Sequence, residues 1–513
     1  MVNKKSQTDG TPRMGNEVLT RPPGGAPSVA SGTAPANAPG HVEQHGLDYI
    51  APSERGGSPV SLFWIWMSAN VLYLYFVIGG GLVLLGLSVV EALAVTVVGN
   101  LWWAVVGWLA VSGPAAGAPS VTIMRAMYGI RGNRIFGGAL GVLIGLFYEV
   151  INIAVGTFAA LALLPLIGVE PGVVGQWSVL LVVAFLSFVF SVYGHGTIMA
   201  LAPYFSAALA LAFVVLGYFV LTAADFSYTA PEMPAGERWA LIALGYAIVA
   251  AGPLSWGTGA DYSRYLPKST PRRGVIGWTA LGGFIPSAVI GSLGVLAATA
   301  IDMTDPQQTI SEIVPGWFTP VFLFVVFLGT VTNNVLVAYS TGLYAQGLGV
   351  KLPRAATVVV TGAAATAMAG WLVFAAPSFL DTLNAALELS VSVLGPLVAV
   401  YAVDILLRRN RYDGVALNDE SRGSDFWYSR GYFIPGIAAM VVGTSVSLLL
   451  VNSTLFVGPV AAALGGADLS AVFAPVIGGA VYAILWRTTA PFKNPSLRPG
   501  AGAPDAHRME TAA

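Results

Sequence analysis

Twelve stretches of this chain are apolar over about 20 residues or more, the length needed to cross a ~30 Å hydrocarbon core as a helix. Lipid offers no hydrogen bonds, so each run must satisfy its own backbone as a helix. The runs fall near 60–86, 89–112, 138–166, 175–194, 199–222, 239–262, 274–300, 315–346, 355–375, 378–407, 432–453 and 469–487. Only 10% of the 513 residues are charged, against about 25% in a soluble domain. An all-α integral membrane protein is the expected fold class. The net charge of −1 gives no hold on nucleic acid, and the absence of cysteine excludes disulfides and thiolate chemistry. Of the four histidines, His41, His45, His195 and His507, three lie in the tails, so no multi-histidine metal centre is expected.

The basic residues orient the spans. With the N-terminus inside, 23 of the 24 Lys and Arg fall in the two tails or in the connections after spans two, six, eight and ten, and only Arg238 falls outside. The positive-inside rule produces this asymmetry and places both termini in the cytoplasm. Residues 1–58, rich in Gly, Pro, Ser and Ala, are expected to be a disordered cytoplasmic tail. They lack the apolar core of a signal peptide and are expected to stay on the protein. Residues 488–513 form a second flexible tail.

Span six is interrupted by GPLSWGTGADYSRYLP, Gly252 to Pro267, with helix-breaking glycines and a proline. A broken membrane helix survives where it lines a protein cavity, and secondary transporters bind substrate and ion at such breaks. Span one has a matching irregularity, with Ser68 and Asn70 in mid-span and Gly79–Gly81 beyond. Span eight carries Thr330, Thr332, Asn333, Asn334 and Ser340, oxygen-rich side chains suited to an alkali cation or to hydrogen bonds between helices. Glu149 lies inside span three, where a charge costs at least ~2.5–3.5 kcal/mol, so it is a candidate functional carboxyl. A membrane-embedded enzyme would need a nucleophile–base pair or metal ligands, and a channel a charged ring; neither pattern is present.

Several motifs together resemble the nucleobase:cation symporter-1 family, the purine–cytosine permease type. They are APSER (Ala51–Arg55), WIWMSAN, RAMYGIRGNR (Arg125–Arg134), YEVIN, GADYSRYLP, NNVLVAYSTGL, VDILLRRNRYD and GADLSAVFAPVIGGAVY. The resemblance implies the leucine-transporter fold: a first inverted repeat over 59–222, a second over 239–408, and two further helices over 432–487. It also implies a flat substrate stacked between Tyr148, with Phe147 beside it, and Trp256. Asn152, Glu149, Ser68, Ser255, Asn333 and Asn334 would contribute to binding. Relatives often carry another amide where this chain has Leu336 and Val337.

The same resemblance implies ion-coupled import of a purine or cytosine-like base across the cell membrane, by a monomer or weak oligomer without a cofactor. Uracil, allantoin, a hydantoin or thiamine are the alternatives, the last favoured by an ionised Glu149. Sodium would sit near Ser68, Ala69, Thr330 and Thr332; otherwise Glu149 would carry a proton. Asp261 and Arg264 are expected to form a gate or a fold contact.

Overall fold

Apolar side chains around the whole helix circumference let lipid or a neighbouring helix cover every face. The structure, a computed structural model, describes residues 37–376 and 379–489, with the backbone alone described over 379–389. The helices, in chain order, are α1, a pair Val60–Asn70 and Tyr73–Leu84; α2, Val89–Ala116; α3, Leu140–Leu163; α4, Val173–Tyr193; α5, His195–Ala223; and α6, a pair Ala235–Leu254 and Gly259–Ser263. They continue with α7, Arg272–Ala297; α8, Phe318–Leu348; α9, Arg354–Phe374; α10, Phe379–Leu407; α11, Ile434–Leu450; and α12, Ser470–Thr488. Among the described residues, ten helical segments are long and apolar enough to cross a membrane, and the α1 pair, bent by 59°, makes an eleventh. The shorter α11, of 17 residues, stands at the remaining expected position.

Phe185, Leu211 and Val214, exposed by 65%, 66% and 69%, face outward from α4 and α5. On a membrane protein such a surface is the lipid face. Inside, Trp66 of α1 meets Trp103 of α2 and Tyr262 of α6 edge to face, at 5.3 and 5.2 Å. The second half of α1 lies directly on α7. A Cβ on Gly79 would collide with the Gly291 carbonyl, and one on Gly294 with that of Phe76. Small residues permit such backbone-on-backbone contact between membrane helices. Arg238, the exception in the charge pattern, pairs with Glu91 at 2.8 Å.

The expected disorder of 1–58 needs correction from Asn37 onward. Glu43 and Ile50 are buried, and the carboxylate of Glu43 accepts hydrogen bonds from Arg264 (2.8 Å), Tyr265 (2.5 Å) and Tyr339 (3.1 Å) and from the backbone N–H of His195 (2.9 Å). Arg354 lies 3.4 Å away. The segment's composition is polar, but its order comes from ion pairs to α6 and α9 and from backbone bonds at α5, not from apolar content. Burial alone would raise the Glu43 pKa; Arg264 and then Arg354 outweigh it and hold the group at about 2. The tails expected over 1–36 and 490–513 lie outside the described residues.

A second polar knot closes the same face. Asp404 of α10 accepts from Arg408 at 2.8 Å, Tyr412 at 2.8 Å and Tyr482 of α12 at 2.6 Å. Arg125, just before α3, donates to the Leu417 carbonyl at 2.8 Å. These contacts account physically for the RAMYGIRGNR and VDILLRRNRYD stretches: they staple the connections that follow α2 and α10.

Candidate functional site

Both helix breaks face one cavity. In α6 the helix continues through Gly252 and Pro253 to Leu254, and the break itself spans Ser255–Thr258. Gly259 lets the second half restart against α2, since a Cβ there would lie 2.9 Å from the backbone of Val106 and Ala110. In α1, Val71 and Leu72 leave the helical conformation. Asn70 staples the gap by donating to the Trp66 carbonyl at 2.7 Å and accepting from the Tyr75 hydroxyl at 2.8 Å.

The cavity holds about 970 Å³ of empty space, its mouth included, and Tyr148, Asn152, Ser255, Trp256 and Asn333 are among its walls. Trp256 stands edge-on to Trp66 at 5.1 Å, which fixes its ring plane. Asn152 donates to the Tyr148 carbonyl at 2.9 Å and to the Asn333 side-chain oxygen at 2.8 Å. Asn333 in turn donates to the Ala69 carbonyl at 2.8 Å. One chain of amides therefore joins α3, α8 and the α1 break. Such a linked network positions its members for a ligand's polar edge.

Other residues singled out from the sequence stand elsewhere. Phe147 turns from the cavity into an apolar cluster and meets Tyr148 edge-on at 5.6 Å. Glu149 and Asn334 are fully buried and do not line the cavity. Ser68 lines a small separate space beside Thr332, Phe190 and Ile198. Thr332 donates to the Ser68 carbonyl at 2.9 Å. Thr330 faces α3 instead, its hydroxyl 2.7 Å from where a Cβ on Gly156 would stand. Of the four residues expected around sodium, Ser68, Ala69 and Thr332 meet at the α1–α8 contact and Thr330 stands apart. Asp261 and Arg264 also turn to separate partners. Asp261 accepts from the Ser120 N–H at 2.7 Å and the Ser340 hydroxyl at 2.8 Å, whereas Arg264 holds Glu43.

The sequence reading missed Tyr75, Thr341 and Tyr344 in the wall. Thr341 and Tyr344 follow Val337 at helical spacing on α8, a signal that was available. Val337 itself lines the cavity and Leu336 does not, so the wall at this turn of α8 is aliphatic.

A family model for permeases of cytosine and purines, uracil, thiamine and allantoin matches residues 49–472. The chain belongs to this permease family. It is 25% identical over 462 residues to YxlA of Bacillus subtilis (strain 168), a protein provisionally named a purine-cytosine permease, with 87% of this chain and 96% of the relative covered. The hydantoin permease of Microbacterium maritypicum is 30% identical over 185 residues, 36% of this chain and 37% of that one. The solved structure of Mhp1, a nucleobase-cation-symport-1 transporter in a closed conformation with bromovinylhydantoin bound, superposes with a TM-score of 0.69 at 20% identity, covering 89% of this chain and 96% of that one. The permease therefore has the leucine-transporter fold expected from its motifs.

Proposed function

We propose that this permease imports a flat, nitrogen-rich heterocycle of the purine or cytosine type, coupled to a cation, by alternating access across the cell membrane with both termini cytoplasmic. The two repeats would run over 59–222 and 239–408, and the unit would be a monomer or weak oligomer. The observation that carries the reading is the single cavity bounded by both helix breaks, with Tyr148, Trp256 and the Asn152–Asn333 amide pair in its walls. Aromatic faces hold a base by stacking, worth about 1–3 kcal/mol and tolerant of the base chosen. Choice among bases then rests on edge hydrogen bonds, because an unmatched buried polar group is costly.

Val337 favours a second reading within the same family. An aliphatic wall removes one edge contact and suits a smaller or less polar ring such as a hydantoin or uracil. Thermal stabilisation of purified protein by cytosine, adenine, hypoxanthine, uracil, allantoin, a hydantoin and thiamine, each with and without sodium, tests both. Ligands that bind the folded state raise its stability by mass action. A shift with a purine or cytosine supports the first reading, and a shift confined to a hydantoin or uracil supports the second. A shift with none of the panel overturns both.

A further inference from the structure

Glu149 is 0% exposed, and among the described residues neither of its carboxyl oxygens has a hydrogen-bond partner. No ion pair among the described residues includes it. Removing a charge from water costs several kcal/mol even after relaxation, so this conformation accommodates the side chain in its neutral, protonated form. The other buried carboxylates described above are furnished with donors: Glu43 has two arginines, Asp261 has Ser120 and Ser340, and Asp404 has Arg408 and two tyrosines. Glu149 alone among these is left without a donor.

Its surroundings fit a proton that comes and goes. Helices α3 and α8 pack in one-to-one antiparallel register, since Gly145 faces Thr341 and Gly156 faces Thr330. That register sets Glu149 against Val337, with Asn334 and Thr341 one turn to either side. Asn334 is also fully buried with both amide atoms unpartnered among the described residues, so the interface holds two unspent polar groups on facing helices. Thr341 lies beside the carboxyl, though not aligned as a formed hydrogen bond. Its hydroxyl proton is given to the Val337 carbonyl at 2.9 Å, leaving lone pairs that can accept from a carboxylic acid. Thr341 also lines the cavity, as do Tyr148 and Asn152 on either side of Glu149 in α3. One side chain therefore separates the carboxyl from the cavity.

Among the described residues, the titratable groups nearby do not compensate its charge. On α8 they are Tyr339, which holds Glu43, and Tyr344; on α3, Tyr148. α9 contributes Arg354 and α4 contributes Tyr193, both at the ends of their helices. Asp261 of α6 reaches the cavity wall only through Ser340.

We propose that Glu149 is the proton-binding site of this permease, so that its coupling cation is a proton taken up and released at the α3–α8 interface. This rests on the reading as a cation-coupled importer. The carboxyl would load a proton from water in the open cavity, cross in the neutral form while the helices are packed as seen here, and return the proton to water on the other side. At the α1–α8 contact the Ser68 and Ala69 carbonyls accept hydrogen bonds from Thr332 and Asn333, whereas Glu149 has no such donor among the described residues.

Two measurements test this. Infrared difference spectra of wild type against E149Q in lipid discs should show a protonated-carboxyl C=O stretch at neutral pH in wild type alone; its absence overturns the proposal. In proteoliposomes without sodium, an inward proton gradient should drive accumulation of labelled cytosine, hypoxanthine, uracil or a hydantoin, up to about tenfold for each pH unit and each proton coupled. E149Q should lose that accumulation and keep counterflow exchange. Accumulation driven by sodium alone, or undiminished in E149Q, overturns it. Should E149Q not fold, loss of the wild-type band as pH rises in the same discs supports the site, and a pH-independent band overturns it. If no base moves under either gradient, the transport reading fails, while the infrared result still decides the protonation site.

Discussion

Replacing Glu43 with Gln keeps the shape of the buried side chain and removes its charge. The carboxylate is the counter-ion of Arg264 and lies 3.4 Å from Arg354, and the side chains of all three are at most 1% exposed. Its pKa falls from 4.5 to about 2; at 1.36 kcal/mol per unit, ionisation stabilises the fold by on the order of 3 kcal/mol. Breaking a buried pair from one side costs about 3–5 kcal/mol in general, so two independent routes agree. The sign follows from a depressed folded-state pKa: the contribution is fully present above pH 4.5 and is lost as pH falls towards 2. E43Q should therefore melt several degrees below wild type in detergent, by a margin constant from neutral pH down to about 4.5 and shrinking only below that. An unchanged melting temperature, or a margin that varies between pH 6 and 8, would refute the reasoning. Because Glu43 bridges four helices on one face, E43Q should also speed labelling of a cysteine placed at Ser340 in the cavity wall.

Trp256→Ala should weaken substrate binding about 5- to 150-fold, the loss of one stacking partner, with expression retained; unchanged affinity by calorimetry would remove Trp256 from the site. Val337→Asn should shift preference within the same panel towards ligands with a further edge donor or acceptor, read by competition, and an unaltered profile would discount Val337 as a selectivity position. Gly79→Leu should lower the melting temperature, since overpacking a tight contact costs about 1–3 kcal/mol or more; a wild-type melt would contradict the seam between α1 and α7.

The membrane helices and the α6 interruption were legible because hydropathy and Gly-Pro punctuation act locally. Which side of a helix each residue takes was harder. Thr330 and Thr332 were read together as cation ligands, yet residues two apart point about 200° from each other, and the structure sends one to α3 and the other to α1. Tyr148 and Glu149 differ by about 100°, so a ring aimed at the cavity turns its neighbour into the α8 contact. The buried N-terminal segment was illegible for another reason. Its partners Arg264, Tyr339 and Arg354 lie more than 200 residues away along the chain, and composition carries no information about such pairings.

The contact of Gly79 and Phe76 with Gly291 and Gly294 leaves no gap into which either helix could tilt alone. The second half of α1 and α7 therefore form one strut, and any bend in α1 would fall where Val71 and Leu72 have already left the helix. The first half of α1 is seated on α7 as well, where a Cβ on Gly282 would stand 2.6 Å from the Phe63 carbonyl, so a bend at that point would have to shift α7 or open this second contact. Mutations that stiffen Val71–Leu72 and mutations that loosen the glycine seam should thus fail in opposite ways, the first by freezing exchange and the second by uncoupling it.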